Sequence, residues 1–255
     1  HLYGQLADMK ALRRMTKDHS DPQRQKIVLI EDAAQAIGAE LDSIPAGGWG
    51  DMACLSFYPT KNLGGAGDGG MIITNNEEYA RQVRLLRGHG MEPRYYHKVI
   101  GINSRLDSWQ AAILNVKLPH LESWVHMRQR NAQNYQDMFE ERGLDRVIGL
   151  PAALSDRYHV WNQYVVRIPG GRRDGLRTAL NEKKIGTDIY YPMGLHQQEC
   201  FAYLGYKPEE LPETYRASQE VLALPIFPEL RPEEQWAVVC AIGDYLTGQG
   251  VCKNG

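Results

Sequence analysis

The sequence has few cysteines, and they form none of the patterns that bind metal. The four lie at positions 54, 200, 240 and 252, with no CxxC pair and no alternation with histidine, which argues against structural zinc. Cys54 and Cys240 lie in apolar runs that are typical of buried free thiols. This use of cysteine favours a reducing compartment, so we expect the protein to be cytoplasmic and to bind no metal.

Long apolar runs and clusters of one charge are also missing. No stretch approaches the roughly 18 to 20 apolar residues that a membrane span needs, and the chain does not open with a charged-then-apolar leader. Lysine and arginine are scattered, and the net charge is −2 with neutral histidine. The sequence therefore offers no electrostatic footprint for nucleic acid, and a small molecule is the expected partner.

The hydrophobic patterns predict an α/β domain followed by a smaller α+β domain. Residues 27–30 form a short apolar run rich in β-branched side chains, which is typical of a strand buried on both faces of a parallel sheet. We expect a mainly parallel sheet between helices in residues 1–120 and the smaller domain in residues 121–255. Further strands are predicted at 52–57, 71–74, 160–168 and 186–191, and helices at 8–17, 77–87, 106–118, 121–141, 173–183, 214–222 and 232–246.

Asp32 follows the first predicted strand directly. Ligands of open α/β sheets bind at the carboxyl ends of the strands. A carboxylate there suits pyridoxal 5′-phosphate (PLP), because a protonated pyridinium nitrogen makes the cofactor ring an electron sink. The plainer interpretation, an aspartate that caps the next helix, is common for this residue type and stays open.

Lys61 lies in the loop after the next predicted strand. A loop lysine on its own is usually a solvated surface charge, but Ser56 before it can donate a hydrogen bond to a phosphate. The glycines of residues 64–70 allow backbone to pack close to a cofactor. They follow the lysine and lead into a strand, so they match neither the GxxxxGK[ST] loop of nucleotide hydrolases nor the strand-to-helix turn of nicotinamide enzymes.

An ordered set of motifs resembles that of the DegT/DnrJ/EryC1/StrS family, PLP-dependent sugar aminotransferases of the aspartate aminotransferase fold (fold type I). Together the motifs are more specific than any one alone, and the match runs from His1 to at least Leu246. The segments are Glu-Asp-Ala-Ala-Gln at 31–35, Ser-Phe-Tyr-Pro-Thr-Lys-Asn-Leu-Gly at 56–64, Gly-Asp-Gly-Gly at 67–70, Gly-Ile-Asn-Ser-Arg-Leu-Asp at 101–107 and Leu-Pro-Ile-Phe-Pro at 224–228.

The resemblance implies how the cofactor is held. Lys61 would form a Schiff base with PLP and serve as the catalytic residue. Asp32 would pair with the pyridinium nitrogen, Gln35 would hydrogen-bond the ring hydroxyl, and Ser56 would bind the phosphate.

The resemblance also implies a homodimer and a substrate side of the site. Asn103 would reach the phosphate of the neighbouring subunit's cofactor, and Arg105 would bind a substrate or donor carboxylate. His196 is similar to a histidine of the small domain near the substrate, although a packing or solvent-facing role is nearly as common. Tyr58 and His97 are weaker candidates, because such rings often only pack.

The implied reaction moves an amino group from an amino acid, glutamate in this family, to a nucleotide-linked ketosugar. Residues 67–70 and 95–101 are similar to members that act at C3 of the sugar, and a cyclic non-sugar ketone also fits. Family members begin well upstream of residues 1–4, so we interpret the chain as a fragment with an incomplete cofactor pocket. Two rivals remain: a PLP-fold regulator without catalysis, and a plain α/β binding domain.

Overall fold

A computed structural model describes residues 1–18 and 27–248. The chain divides into two compact units. The first comprises His1–His126 and Ala153–Asn162; the second comprises Met127–Ala152 and Gln163–Gly255, of which the structure describes the part up to residue 248. Cys252 lies outside the described residues. The assignment of residues 1–120 to a cofactor-binding domain stays a prediction.

Each predicted helix is present, and its ends differ from the prediction by at most two residues. In chain order the elements are α1 (Met9–Asp18), β1 (Ile30–Asp32), β2 (Glu40–Leu41), β3 (Ile44–Pro45), β4 (Met52–Ser56), β5 (Gly70–Ile73), α2 (Glu77–Arg87), α3 (Ser108–Lys117), α4 (Leu121–Glu141), β6 (Arg157–Tyr158), β7 (Tyr164–Arg167), α5 (Arg173–Glu182), α6 (Pro212–Glu220), β8 (Val221–Leu224) and α7 (Pro232–Thr247). Short 3-10 helices cover Leu2–Gly4, Leu118–His120, Leu144–Arg146, Leu195–Gln197, Glu199–Leu204 and Pro208–Glu210.

The sheet that carries Asp32 has the order β1-β4-β5. β1 runs parallel to β4, with Asp32 opposite Cys54, whereas β5 runs antiparallel to β4, with Gly70 opposite Ser56. The described residues therefore correct the prediction of a mainly parallel sheet. The physical reason is the connection: a parallel neighbour needs a crossover, usually a helix, and the glycine-rich loop between β4 and β5 contains none.

β1 is less buried than the sequence predicts. Ile30 is 54% exposed, whereas Glu31 is only 2% exposed. β1 pairs with β4 on one side and is an edge strand in the sheet of the described residues. The apolar run was thus wrongly interpreted as buried on both faces, and the buried position belongs to a carboxylate.

The hydrophobic core of the first unit is formed by residues of its helices and loops together with residues next to this sheet. Asp8 caps α1, because its carboxylate accepts the Ala11 N–H at 3.0 Å. The buried residues include Leu6, Met9, Ala33, Ala36, Phe57, Leu63, Leu114, Leu121, Val125 and Val160. Val160 comes from the segment that returns to this unit through β6, which pairs with β2.

The second unit is built on the antiparallel pair β7 and β8. Of the predicted strand at 160–168, only β7 is present. The helix predicted at 214–222 ends at Glu220, and β8 begins at the next residue. The predicted strand at 186–191 is wrong: Asp188 makes a single bridge to Ala223, and Pro192 has no N–H to extend a ladder.

The cysteines require a further correction. Cys54 and Cys200 are free thiols, but Cys240, predicted to be one, is disulfide-bonded. Pairing depends on which thiols the fold brings together, which an apolar run does not reveal. The cytoplasmic location stays a prediction.

Candidate active site

Asp32 and Lys61 lie after neighbouring parallel strands. Asp32 ends β1, and its Oδ1 accepts the Ala34 N–H at 3.1 Å, which leaves the second carboxylate oxygen for a ligand. Lys61 follows β4 in a turn closed by its N–H, which donates to the Tyr58 carbonyl at 2.9 Å. Burial lowers the pKa of the Lys61 amine, and the negative charge of Asp32 opposes this shift. The lysine is therefore easier to deprotonate than a solvated one.

The charge of Asp32 gives a measurable prediction. Asp32→Asn removes the negative charge that raises the pKa of Lys61, so this pKa falls further in the cofactor-free protein. The neutral amine is the reactive form, so Lys61 is then modified by an acylating reagent at lower pH, as followed by peptide mass spectrometry across a pH series. Asp42→Asn is the matched control: Asp42 is exposed, and asparagine also tolerates its positive φ of 50°. An unchanged pH profile in Asp32→Asn would contradict the coupling.

Gln35 is oriented by a residue that the sequence did not single out. Tyr3 has a positive φ of 63°, and its backbone N–H donates to Gln35 Oε1 at 2.8 Å. Because Oε1 is the acceptor in this bond, Nε2 is the end of the amide that can donate to a ligand. No pattern around Tyr3 indicated this contact, since a left-handed tyrosine is not visible in a sequence.

Ser56 is the last residue of β4. Its Oγ accepts the Tyr58 N–H at 3.3 Å, so the hydroxyl hydrogen can be donated elsewhere, as binding of a phosphate oxygen requires. Tyr58 is 51% exposed. Ser56 can thus act as a donor, and Tyr58 offers an aromatic face beside the same turn.

Glu31 anchors β1 directly before Asp32. Its buried carboxylate accepts the N–H groups of Gly47 at 2.8 Å and Trp49 at 2.9 Å, and also that of Gly50. His1 Nε2 lies 2.8 Å from the same carboxylate, while His1 Nδ1 accepts the Ala7 N–H at 3.2 Å. The second contact places the ring proton on Nε2. In the sequence Glu31 is recognisable only as part of a motif, which does not reveal this anchoring contact.

Asn103 and Arg105 lie together on an exposed segment of the first unit. Arg105 Nε donates to Asn103 Oδ1 at 3.2 Å, which leaves the Asn103 NH₂ as a donor. Arg105 also lines a cleft of about 720 Å³ in which Arg84 and Arg87 lie with Asp68 and Asp107. The two predicted residues are therefore neighbours.

His196 belongs to the second unit. It lies in the short helix Leu195–Gln197, its ring meets Tyr206 edge-on at 6.4 Å, and its buried Nε2 has no hydrogen-bond partner among the described residues. His97 is in an exposed loop of the first unit, where its Nδ1 lies 2.9 Å from the His89 carbonyl. All the other candidates lie in the first unit.

A sequence profile described as the DegT/DnrJ/EryC1/StrS aminotransferase family matches residues 1–243. The chain belongs to this family. The DegT/DnrJ/EryC1/StrS membership confirms the resemblance that the ordered motifs predicted, and with it an α/β fold.

Three similar family members have informative names. A "pleiotropic regulatory protein" of Geobacillus stearothermophilus is 50% identical over 96% of this chain and 63% of its own length. A "UDP-N-acetyl-3-dehydro-alpha-D-glucosamine 3-aminotransferase" of Acidithiobacillus ferrooxidans is 41% identical over 97% of this chain and 63% of its own length. The crystal structure of S. venezuelae DesV in complex with a ketimine intermediate superposes with a TM-score of 0.87 at 38% identity, covering 96% of this chain and 63% of that one. The chain thus spans under two thirds of the length of these DegT/DnrJ/EryC1/StrS proteins.

The described residues 1–18 and 27–248 contain no helix long and apolar enough to cross a membrane. Within the same residues, no group of three or more histidine, cysteine, aspartate or glutamate side chains is arranged to hold a metal ion.

Proposed function

We propose that the full-length protein is a PLP-dependent aminotransferase of fold type I. It would move the amino group of glutamate to a nucleotide-linked ketosugar and so form an amino sugar. The observation that carries the proposal is the environment of Lys61. Burial lowers the pKa of its amine, and the charge of Asp32 acts on it. The two residues belong to neighbouring parallel strands, since Asp32 ends β1 and Lys61 lies in the turn after β4. A solvated surface lysine would not have its pKa lowered by burial.

The groups around Lys61 fit PLP. Asp32 has a carboxylate oxygen for the ring nitrogen, Gln35 has its amide donor for the ring oxygen, and Ser56 has its hydroxyl hydrogen for the phosphate. Each of these groups has its other hydrogen-bonding position already taken by a backbone N–H. This pre-organisation favours the orientation that the ligand needs.

When bound, PLP supplies a carbon that exchanges amino groups and a ring that withdraws electrons from the substrate carbon. Lys61 would hold the cofactor through Nζ and, once displaced by the donor amine, would move a proton at Nζ between substrate and cofactor. The lowered pKa of Lys61 supports this role, because a general base must be neutral near the working pH. The Asp32 charge would keep a proton on the ring nitrogen.

The substrate side of the proposal involves a second subunit. Asn103 would donate to the phosphate of the neighbouring subunit's cofactor in a homodimer, and Arg105 would bind a carboxylate or another anion. Their exposure and their contact with each other support such a shared role. Tyr58 and the buried, unpartnered Nε2 of His196 are the remaining candidates for contacts with the sugar.

The position of the keto group is proposed as C3. The name of the Acidithiobacillus ferrooxidans relative supports it, since that protein acts on a 3-dehydro sugar. The test is a screen of 3-keto and 4-keto nucleotide sugars, with a cyclic non-sugar ketone included, using the full-length protein, PLP and glutamate. We expect an amino sugar from a 3-keto substrate by mass spectrometry. Product only from a 4-keto or cyclic substrate would contradict C3, and no product from any ketone would contradict the aminotransferase.

A regulator that binds PLP without turning it over is the second candidate. The name of the Geobacillus stearothermophilus relative favours it, because that protein is called a pleiotropic regulatory protein. The two functions differ in one step: an aminotransferase gives the glutamate amino group to the bound cofactor, and a regulator does not.

A further inference from the structure

Two buried asparagines form a hydrogen-bonded pair, and one of them, Asn62, directly follows Lys61 in the chain. Asn62 is 6% exposed and Asn162 is 4% exposed. Asn162 Nδ2 donates to Asn62 Oδ1 at 2.9 Å, and Asn62 Nδ2 donates to the Val160 carbonyl at 2.8 Å. Because a carbonyl only accepts, the second bond fixes the orientation of the Asn62 amide, which in turn requires Asn162 to be the donor.

The backbone beside Asn162 holds the segment that orients Gln35. The Asn162 N–H donates to the Tyr3 carbonyl and the Val160 N–H to the Gly4 carbonyl, both at 2.9 Å. The Tyr3 N–H then donates to Gln35 Oε1 at 2.8 Å. A continuous series of hydrogen bonds therefore links Gln35 through Tyr3 and Asn162 to Asn62, the residue after Lys61.

The segment that carries Asn162 makes several local contacts. The rings of His159 and Trp161 stack with centroids 3.9 Å apart, and the Trp161 N–H donates to His159 Nδ1 at 2.9 Å. Burial lowers the pKa of His159 to about 4, so the ring is neutral at neutral pH, and the bond from the Trp161 N–H makes Nδ1 the nitrogen with the lone pair. Trp161 is held at a positive φ of 46°, a conformation rare for a bulky residue.

We infer that Asn162 is a positioning residue that fixes the position of the Lys61 loop relative to Gln35. Its side chain holds the loop through Asn62, and its backbone holds Tyr3, so one residue fixes both the amine and the amide donor. This inference rests on the proposed function. A buried amide pair that served only stability would have no reason to connect to both loops.

The test uses the full-length protein loaded with PLP. Asn162→Ala removes the donor to Asn62 and the space-filling amide. We expect PLP to stay on Lys61, as shown by borohydride reduction and peptide mapping, but the pH midpoint of its visible absorption to shift.

We also expect kcat to fall on the order of 10-fold to 100-fold, with KM for glutamate within about two-fold, because small misplacement of reacting groups affects the chemical step. Asn162→Ser keeps a hydroxyl donor. If the alanine variant does not fold, the same pH midpoint, kcat and KM are measured for the serine variant instead.

Asn131→Ala is the matched control. Asn131 is as buried, at 1% exposure, and its Nδ2 donates to the carbonyls of Phe227 at 2.8 Å and Pro228 at 3.3 Å in the second unit. It should lower the unfolding temperature without moving the pH midpoint or kcat. The inference is overturned if the Asn162 variants behave like Asn131→Ala while the wild type converts glutamate. If the wild type does not hold PLP on Lys61, the proposed function fails and the inference fails with it.

Discussion

Lys61→Ala in the full-length protein abolishes the visible absorption of lysine-bound PLP and lowers aminotransferase activity by about 10²-fold to 10⁴-fold or more. The variant removes both the attachment point and the group that moves the proton, so no neighbouring residue replaces it. Its fold should persist, because Lys61 contributes its backbone N–H to the turn at Tyr58 and alanine keeps that N–H. Absorbance spectra and steady-state rates measure the two effects.

Two further variants sharpen the Lys61 result. Lys61→Arg keeps the positive charge but not a nucleophilic amine, and it should be as inactive as alanine. Lys183→Ala removes an exposed lysine that pairs with Asp244 at 3.3 Å, and it should match the wild type, since exposed ion pairs contribute little. Retention of the wild-type spectrum in Lys61→Ala would show that the cofactor is bound elsewhere.

Asp32→Asn is expected to lower kcat by about 10²-fold to 10³-fold, the range seen when one electrostatic stabiliser is removed. Asparagine keeps an oxygen that can accept the Ala34 N–H, so the local turn survives while the charge is lost. PLP should still attach to Lys61. Asp42→Asn serves again as the control and should leave kcat unchanged. A kcat for Asp32→Asn within about two-fold of the wild type would remove Asp32 from the proposed mechanism.

The sequence indicates candidate groups for the site, but it does not reveal the contacts that orient them. Asp32, Ser56 and Lys61 are candidates because of their place near strand ends and their residue types, and the resemblance of the ordered motifs assigns their roles, which stay predictions. Tyr3, Glu31 and Asn162 were missed. Each acts through a contact far away in the chain, and neither periodicity nor residue type reveals such a partner.

The same limit explains the errors in the fold. The helices were predicted well because their periodicity is local. The direction of β5 depends on how a glycine-rich loop closes, and the exposure of Ile30 depends on how many strands flank β1. The disulfide of Cys240 likewise depends on a pairing in space. These features are set by tertiary contacts.

The most direct test of the central claim is the reaction with glutamate alone. Full-length protein with PLP bound at Lys61 is mixed with glutamate in the absence of any sugar, and the absorption spectrum is followed. The proposed aminotransferase predicts that the absorption of lysine-bound PLP is replaced by that of the pyridoxamine form, with release of 2-oxoglutarate. An unchanged spectrum from protein that demonstrably holds PLP on Lys61 would contradict the aminotransferase and favour the regulator.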